Sequence, residues 1–238
     1  MKVKQPTSLV PEDIFEKLLI PPADSSTPIK NSEAIFIYNF LKSEGLVKTL
    51  ETGFAHGKSA SFILAATGSR HIAIDPFQEN YDRLGIKNIE SLGFQDSLEL
   101  YEDFSHNILP MLLRNGELFD FIFIDGDHKF DGVLLDFYYA DLLLNENGYV
   151  LLHDTWMRST RILMKFIKTN RIDYIKIPTR CRNLALYQKV DHDRRNGIYF
   201  KEFYTHRSLI SHSLIKWMTT GKESFLKSIL LKLKERIK

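Results

Sequence analysis

The segment Phe119–Phe130, FDFIFIDGDHKF, sets Asp125, Asp127 and His128 directly after an apolar run. Twenty-nine residues beyond Asp125, a second apolar run, Tyr149–Leu152, ends in His153 and Asp154. Carboxylate oxygens and imidazole nitrogens converging from neighbouring strand ends suit a divalent ion such as Mg2+ or Mn2+, which keeps positions open for water or a substrate oxygen. A cation there would acidify a coordinated hydroxyl and orient it for attack. The plainer reading of the same residues is that Asp127 caps the next helix and His153 is packed in the core.

Two further acids follow the same rule. The run Val47–Leu50 is followed by Glu51, and His71–Ile74 by Asp75. Behind the first of them the chain reads Glu51-Thr52-Gly53-Phe54-Ala55-His56-Gly57-Lys58-Ser59 and opens a helix. Gly53 and Gly57 allow a tight turn and a close approach to a ligand, and the helix N-terminus offers unpaired N–H donors to a carboxylate or phosphate. The spacing G-x-x-x-G is neither the G-x-G-x-x-G of a dinucleotide fingerprint nor a P-loop. Asp75 is placed to take both hydroxyls of a ribose, which fits S-adenosylmethionine (SAM) and NAD equally.

These residues need a scaffold that brings strand ends together. Five short apolar runs, Val47–Leu50, His71–Ile74, Leu98–Tyr101, Phe119–Ile124 and Tyr149–Leu152, alternate with helical patterns at Lys58–Thr67, Asn80–Leu92, Ser105–Asn115 and Phe130–Leu144. That alternation is the signature of βα units around a parallel sheet, whose C-terminal strand ends share one edge. After a helix at Arg158–Asn170, Tyr174–Ile177 and Leu184–Gln188 are close enough to form a hairpin, which makes the final strand antiparallel. The expected fold is therefore α/β and Rossmann-like, a mostly parallel seven-stranded sheet with an antiparallel last strand and helices on both faces. Residues 1–45, with helices near 11–20 and 32–44, read as a helical cap, 46–190 as the sheet domain and 191–238 as a helical basic extension.

Composition narrows the function classes. The chain is 44% hydrophobic and 26% charged, ordinary for a globular protein, and its net charge of +2 is too mild to announce nucleic-acid binding. The single Cys181 excludes an internal disulfide or a cysteine zinc cluster. No apolar stretch is long enough to span a bilayer and the N-terminus lacks a signal-peptide core, so a cytoplasmic location is expected. The basic excess sits in Lys222–Lys238, six Lys or Arg against two Glu, an amphipathic segment that could dock on a partner, an anionic membrane surface or a second copy of the chain.

Over residues 45–190 the motifs ETGFAHGKS, IAID, IDGDH and LLHD resemble the metal-dependent class I O-methyltransferases, especially the sugar and macrocin O-methyltransferase-like branch, and more distantly catechol O-methyltransferase. The resemblance implies a class I methyltransferase fold and SAM as cofactor. It implies that Glu51, Gly53, Gly57 and Ser59 line the methionine part, that Asp75 binds the ribose, and that Asp103, Phe104 and Ser105 lie near the adenine. Asp125 and Asp154, with His153, would hold a divalent metal, and Asp127, or else His128, would be the catalytic base. His153-Asp154 departs from the two acids or Asp-Asn of many relatives and leaves the metal open, since imidazole shifts preference toward Mn2+, Fe2+ or Zn2+. The expected substrate is a small-molecule hydroxyl, on a sugar, glycoside or phenol, with Trp156, Phe130 and Arg158 as wall residues. The alternatives are an NAD-dependent oxidoreductase, and a binding module that keeps the fold without catalysis.

Overall fold

The computed structural model describes residues 9–25, 27–195, 211, 214–215 and 217–219. Its strands are β1 (Thr49–Thr52), β2 (His71–Ile74), β3 (Leu98–Tyr101), β4 (Phe119–Ile124), β5 (Leu144–Leu152), β6 (Tyr174–Ile177) and β7 (Ala185–Lys189). The helices are α1 (Pro11–Lys17), α2 (Asn31–Glu44), α3 (Lys58–Thr67), α4 (Leu84–Ser91), α5 (Ser105–Arg114), α6 (Phe130–Leu143) and α7 (Arg158–Asn170). The strands form one sheet in the order β3-β2-β1-β4-β5-β7-β6. Only β7 runs antiparallel, pairing with both β5 and β6, as the short connection after Ile177 requires. The strand order reverses between β1 and β4, which places a crevice outside their carboxyl ends.

The parallel strands are apolar without alternation because helices cover both faces. Phe121, Phe123, Leu50, Ile72 and Val150 are fully buried. The N-terminal helices share this core: Ile14, Ile37 and Leu41 belong to one apolar cluster with Phe62, Ile63, Phe121, Leu151 and Leu186. Burying each such side chain contributes roughly 1.5–3 kcal/mol, so α1 and α2 are stabilised by the sheet domain itself.

Three local details differ from the sequence pattern. β1 begins two residues later than the apolar run, because Asp120 accepts the Val47 and Lys48 amides (3.3 and 2.9 Å) and holds them ahead of the strand. Glu51 therefore lies inside β1, paired in register with Ala73 and Phe123, rather than beyond it. The helix expected over Asn80–Leu92 is split into a 3-10 turn, Gln78–Tyr81, and α4, because Asp82 and Arg83 both adopt left-handed φ (49° and 51°). β5 starts at Leu144, five residues earlier than its apolar run, and passes an irregularity where Asn147 has φ 64°.

The chain divides into two compact units, Met1–Leu163 with Tyr174–Asp191, and Met164–Asp173 with His192–Lys238. The sheet belongs to the first. The second contains a buried Arg171–Asp173 ion pair (2.5 Å) and Arg195 set over the Phe166 ring at 5.4 Å. The amphipathic stretch expected over Phe225–Ile237 lies outside the described residues. Among the described residues no helix is long and apolar enough to cross a membrane.

Candidate active site

Every βα loop at the β1–β4 edge contributes to one cavity of about 560 Å³, within the roughly 300–1,000 Å³ of small-molecule sites. The loop after β1 enters it by three left-handed residues, Gly53 (φ 88°), Ala55 (φ 44°) and Gly57 (φ 68°). A side chain at Gly53 would put its Cβ 2.2 Å from the Asp125 carbonyl oxygen, so glycine is what lets the β1 and β4 loops touch. Gly57 then opens α3, whose first two residues, Lys58 and Ser59, line the cavity.

Asp75 ends β2 and also lines the cavity. Its Oδ2 accepts the Phe54 and Ala55 amides (3.0 and 2.7 Å) and its Oδ1 accepts the Phe77 amide (2.8 Å). A carboxylate offers about four lone-pair sites, so two are spent holding the glycine loop, one holds the turn at Phe77, and one is left. Phe77 and Phe104 stand edge to face at the mouth, ring centroids 5.8 Å apart and each about half exposed. Ser105 continues the wall, whereas Asp103 lies outside it, accepting the Phe104 amide and the Asn107 side chain at the start of α5. Glu51 does not line the cavity. It is fully buried, 3.4 Å from His71 Nε2, and burial raises its pKa against the pull of His71 and Ser59.

At the β4 and β5 ends the two histidines separate. Asp125, His128 and Asp154 each offer a ligand atom within 4.8 Å of the others, a spacing that could hold a metal ion. His128 Nε2 lies 3.0 Å from Asp154 Oδ2. Asp154 has φ 50°, a left-handed conformation that Asp tolerates better than most residues, and its Oδ1 accepts Trp156 Nε1 and Asn183 Nδ2 (3.0 and 3.1 Å). His153 stands behind this group: its Nδ1 meets Asp125 Oδ1 at 2.8 Å and its Nε2 faces Glu33 Oε2 at 3.2 Å. Asp127 lines the cavity beside His128, and its Oδ1 accepts the Lys129 amide (2.9 Å), a local turn leading into α6.

The charges are strongly coupled. Burial alone would lower the His153 pKa, but hydrogen bonds to Asp125, Asp154 and Glu33 raise it far above the imidazole range. Burial raises Asp125 in spite of His153. Asp154 is likewise opposed by burial, yet His128, His153 and Asn183 hold it well below the ordinary carboxylate value. Glu33 is held low by His153 and the Lys30 amide against the effect of burial.

Several wall residues escaped the sequence reading. Thr27, Pro28 and Ile29 reach the cavity from the segment before α2, and Thr52, Phe77, Tyr81 and Asp136 complete its wall. Lys58 was present in the glycine motif without a role. A lysine in the first turn of a helix opposes the helix dipole, and that is a legible signal of a nearby acceptor. Its Nζ donates to Asn31 Oδ1 at 2.7 Å, and burial lowers its pKa against the pull of Glu33.

Residues 50–155 match a family described as a methyltransferase domain. Solved structures with the same fold include the O-methyltransferase TomG from Streptomyces achromogenes, involved in tomaymycin synthesis and in complex with SAM (16% identity, 75% of this chain and 89% of that one, TM-score 0.63). Others are an O-methyltransferase from Bacillus cereus in complex with SAH (17%, 76% and 90%, 0.60) and the SAH-bound methyltransferase PaMTH1 of Podospora anserina (17%, 76% and 89%, 0.61). No curated protein matches the chain. The methyltransferase-domain match over residues 50–155 and the seven-stranded sheet agree, and the fold is the Rossmann-like one of these SAM- and SAH-bound methyltransferase structures.

Proposed function

We propose that the chain methylates a hydroxyl of a small molecule, a sugar, glycoside or phenol, with a divalent cation held by Asp125, His128 and Asp154. The observation that carries this reading is the convergence of those three side chains on the wall of the cavity that also contains the glycine loop and Asp75. The donor set fits: two carboxylates and one imidazole suit Mn2+ or Mg2+ with positions left open.

Lys58, Ser59 and the N-terminus of α3 offer a cation, a hydroxyl and free amides to an amino-acid carboxylate. Asp75 keeps an acceptor site for a ribose hydroxyl, and Phe77 and Phe104 present ring faces and edges to a base. SAM supplies a methyl group on a positively charged sulfur, so the chain's task is to hold an acceptor oxygen in line with it and take that oxygen's proton. A cation at the three ligands supplies charge that acidifies the acceptor hydroxyl. Asp127 is the proton acceptor in this reading, since His128 is committed to Asp154, and the Lys129 amide orients its carboxylate. His153 serves by fixing Asp125 from behind, much as a histidine outside the coordination shell orients a ligand.

Titration of SAM and of Mn2+ or Mg2+ into metal-free protein tests this, with NAD as control ligand. Micromolar SAM binding together with a cation site lost in the Asp125→Ala/Asp154→Ala variant is the expected result. Absence of SAM binding under every cation condition overturns it, and NAD binding would favour the oxidoreductase.

A further inference from the structure

α6 buries the stripe Val133, Asp136, Phe137, Ala140 and Leu143. Asp136 is the odd member. It is only 1% exposed, it borders the cavity, and neither carboxylate oxygen has a hydrogen-bond partner. Thr52 Oγ1, at the end of β1, is buried and unpartnered in the same way. The Thr52 and Ser105 hydroxyls lie near enough to Asp136 to favour its ionised form, yet neither completes a bond. An unpaired carboxyl inside an apolar stripe is destabilising, and a partner entering the cavity would offset that.

The rest of the cavity narrows what that partner is. The cation ligands occupy the β4–β5 end, and the α3 N-terminus and Asp75 suit the amino-acid and ribose parts of the donor. Phe77 and Phe104 also line the cavity, and Ser105, next to Phe104 in the chain, lies with Thr52 near Asp136. An aromatic pair beside a buried hydrogen-bond acceptor suits a heterocyclic base that carries an exocyclic amine. We propose that Asp136, assisted by Thr52, is a specificity-determining residue that accepts a hydrogen bond from the adenine amino group of the methyl donor. This inference rests on the SAM-dependent reading above. Burial pushes the Asp136 carboxyl up to about 6, as expected of a group whose partner is missing, and both its protonated and ionised forms keep an acceptor oxygen for an amine.

The test is calorimetric binding of S-adenosylhomocysteine against S-inosylhomocysteine, in which the amino group is replaced by a carbonyl oxygen. Wild-type protein is expected to prefer the adenosyl compound at least about tenfold, the scale of one buried polar contact. Asp136→Leu is expected to weaken only the adenosyl compound, bringing the ratio near one, and Asp136→Asn to lower the ratio as well, because its carboxamide N–H can donate to the inosyl carbonyl. Circular dichroism establishes that each variant is folded, and Asp136→Ser replaces the leucine variant if that one does not fold. A wild-type ratio near one overturns the proposal while leaving SAM dependence intact. So does a ratio unchanged in the folded leucine or serine variant, which would make Asp136 a structural group or the host of a buried water. Failure of wild-type protein to bind S-adenosylhomocysteine at all would instead overturn the functional reading on which the inference stands.

Discussion

The two ends of the cavity treat buried charge in opposite ways. At the β4–β5 end, Asp125, Asp154, Glu33, His128 and His153 each meet an opposite charge or a donor, within 2.8–3.5 Å of their partners. At the α6 end, Asp136 and Thr52 are buried and complete no hydrogen bond, although the Thr52 and Ser105 hydroxyls lie near the carboxyl. A saturated network is arranged before any ligand arrives and serves positioning; an unsaturated one is destabilising until a ligand completes it. The contrast separates a region that holds its own geometry from one that waits for a partner.

Breaking the saturated end should give the largest effect. His153→Gln leaves Asp125 and Glu33 buried with a weaker partner and no positive charge between them. Mn2+ affinity, measured by titration, should fall about 10–100-fold, while S-adenosylhomocysteine affinity changes far less. Equal losses for both ligands would mean that His153 supports the whole edge of the sheet rather than one ligand.

The unsaturated end sharpens the comparison through pH. The Asp136 carboxyl is raised from 3.8 to about 6 in the folded chain, so the native state binds more protons than the unfolded state between those values. Its favourable contribution is full below about pH 3.8 and is lost as pH rises through about 6, by roughly 2–3 kcal/mol at neutral pH. Asp136→Asn cannot ionise. In ligand-free protein it should unfold at higher denaturant than wild type at pH 7, and the difference should shrink toward pH 4. An asparagine variant less stable than wild type at pH 7 would show that the carboxylate has a partner in the folded chain.

The smallest effect belongs to Trp156→Phe. Trp156 is 68% exposed and donates its indole N–H to Asp154 Oδ1, so its loss leaves Asn183 and His128 to hold that carboxylate. About 1 kcal/mol or less of stability should be lost in thermal unfolding. A much larger loss would give Trp156 a role in fixing Asp154 that its exposure does not suggest.

Much of the molecule was legible from residue type and order. Short apolar runs alternating with helical ones specify a parallel sheet because strands covered on both faces lose their period-two pattern. The short Pro178–Asn183 connection cannot make a crossover, and so β7 had to turn back. The acids and glycines at the strand ends marked the edge where Gly53, Asp75, Asp125 and Asp154 line one cavity. Boundaries were less legible: Glu51 read as a residue beyond β1, whereas side-chain capture of Val47 and Lys48 by Asp120 moves the strand forward and puts Glu51 inside it.

By itself, then, the sequence determined the sheet, its single reversed strand and the edge where carboxylates and glycines collect, because these follow from local periodicity and loop length. Tertiary structure alone decided how each histidine meets Asp125 and Asp154. His153 lies between Asp125 and Glu33, 120 residues earlier in the chain, and His128 pairs with Asp154. It also decided that Asp136 borders the cavity. α6 is apolar on nearly every side, so its periodicity does not say which stripe faces the sheet, and only the packing of α6 against α5 and β4 brings that carboxyl near Thr52 and Ser105.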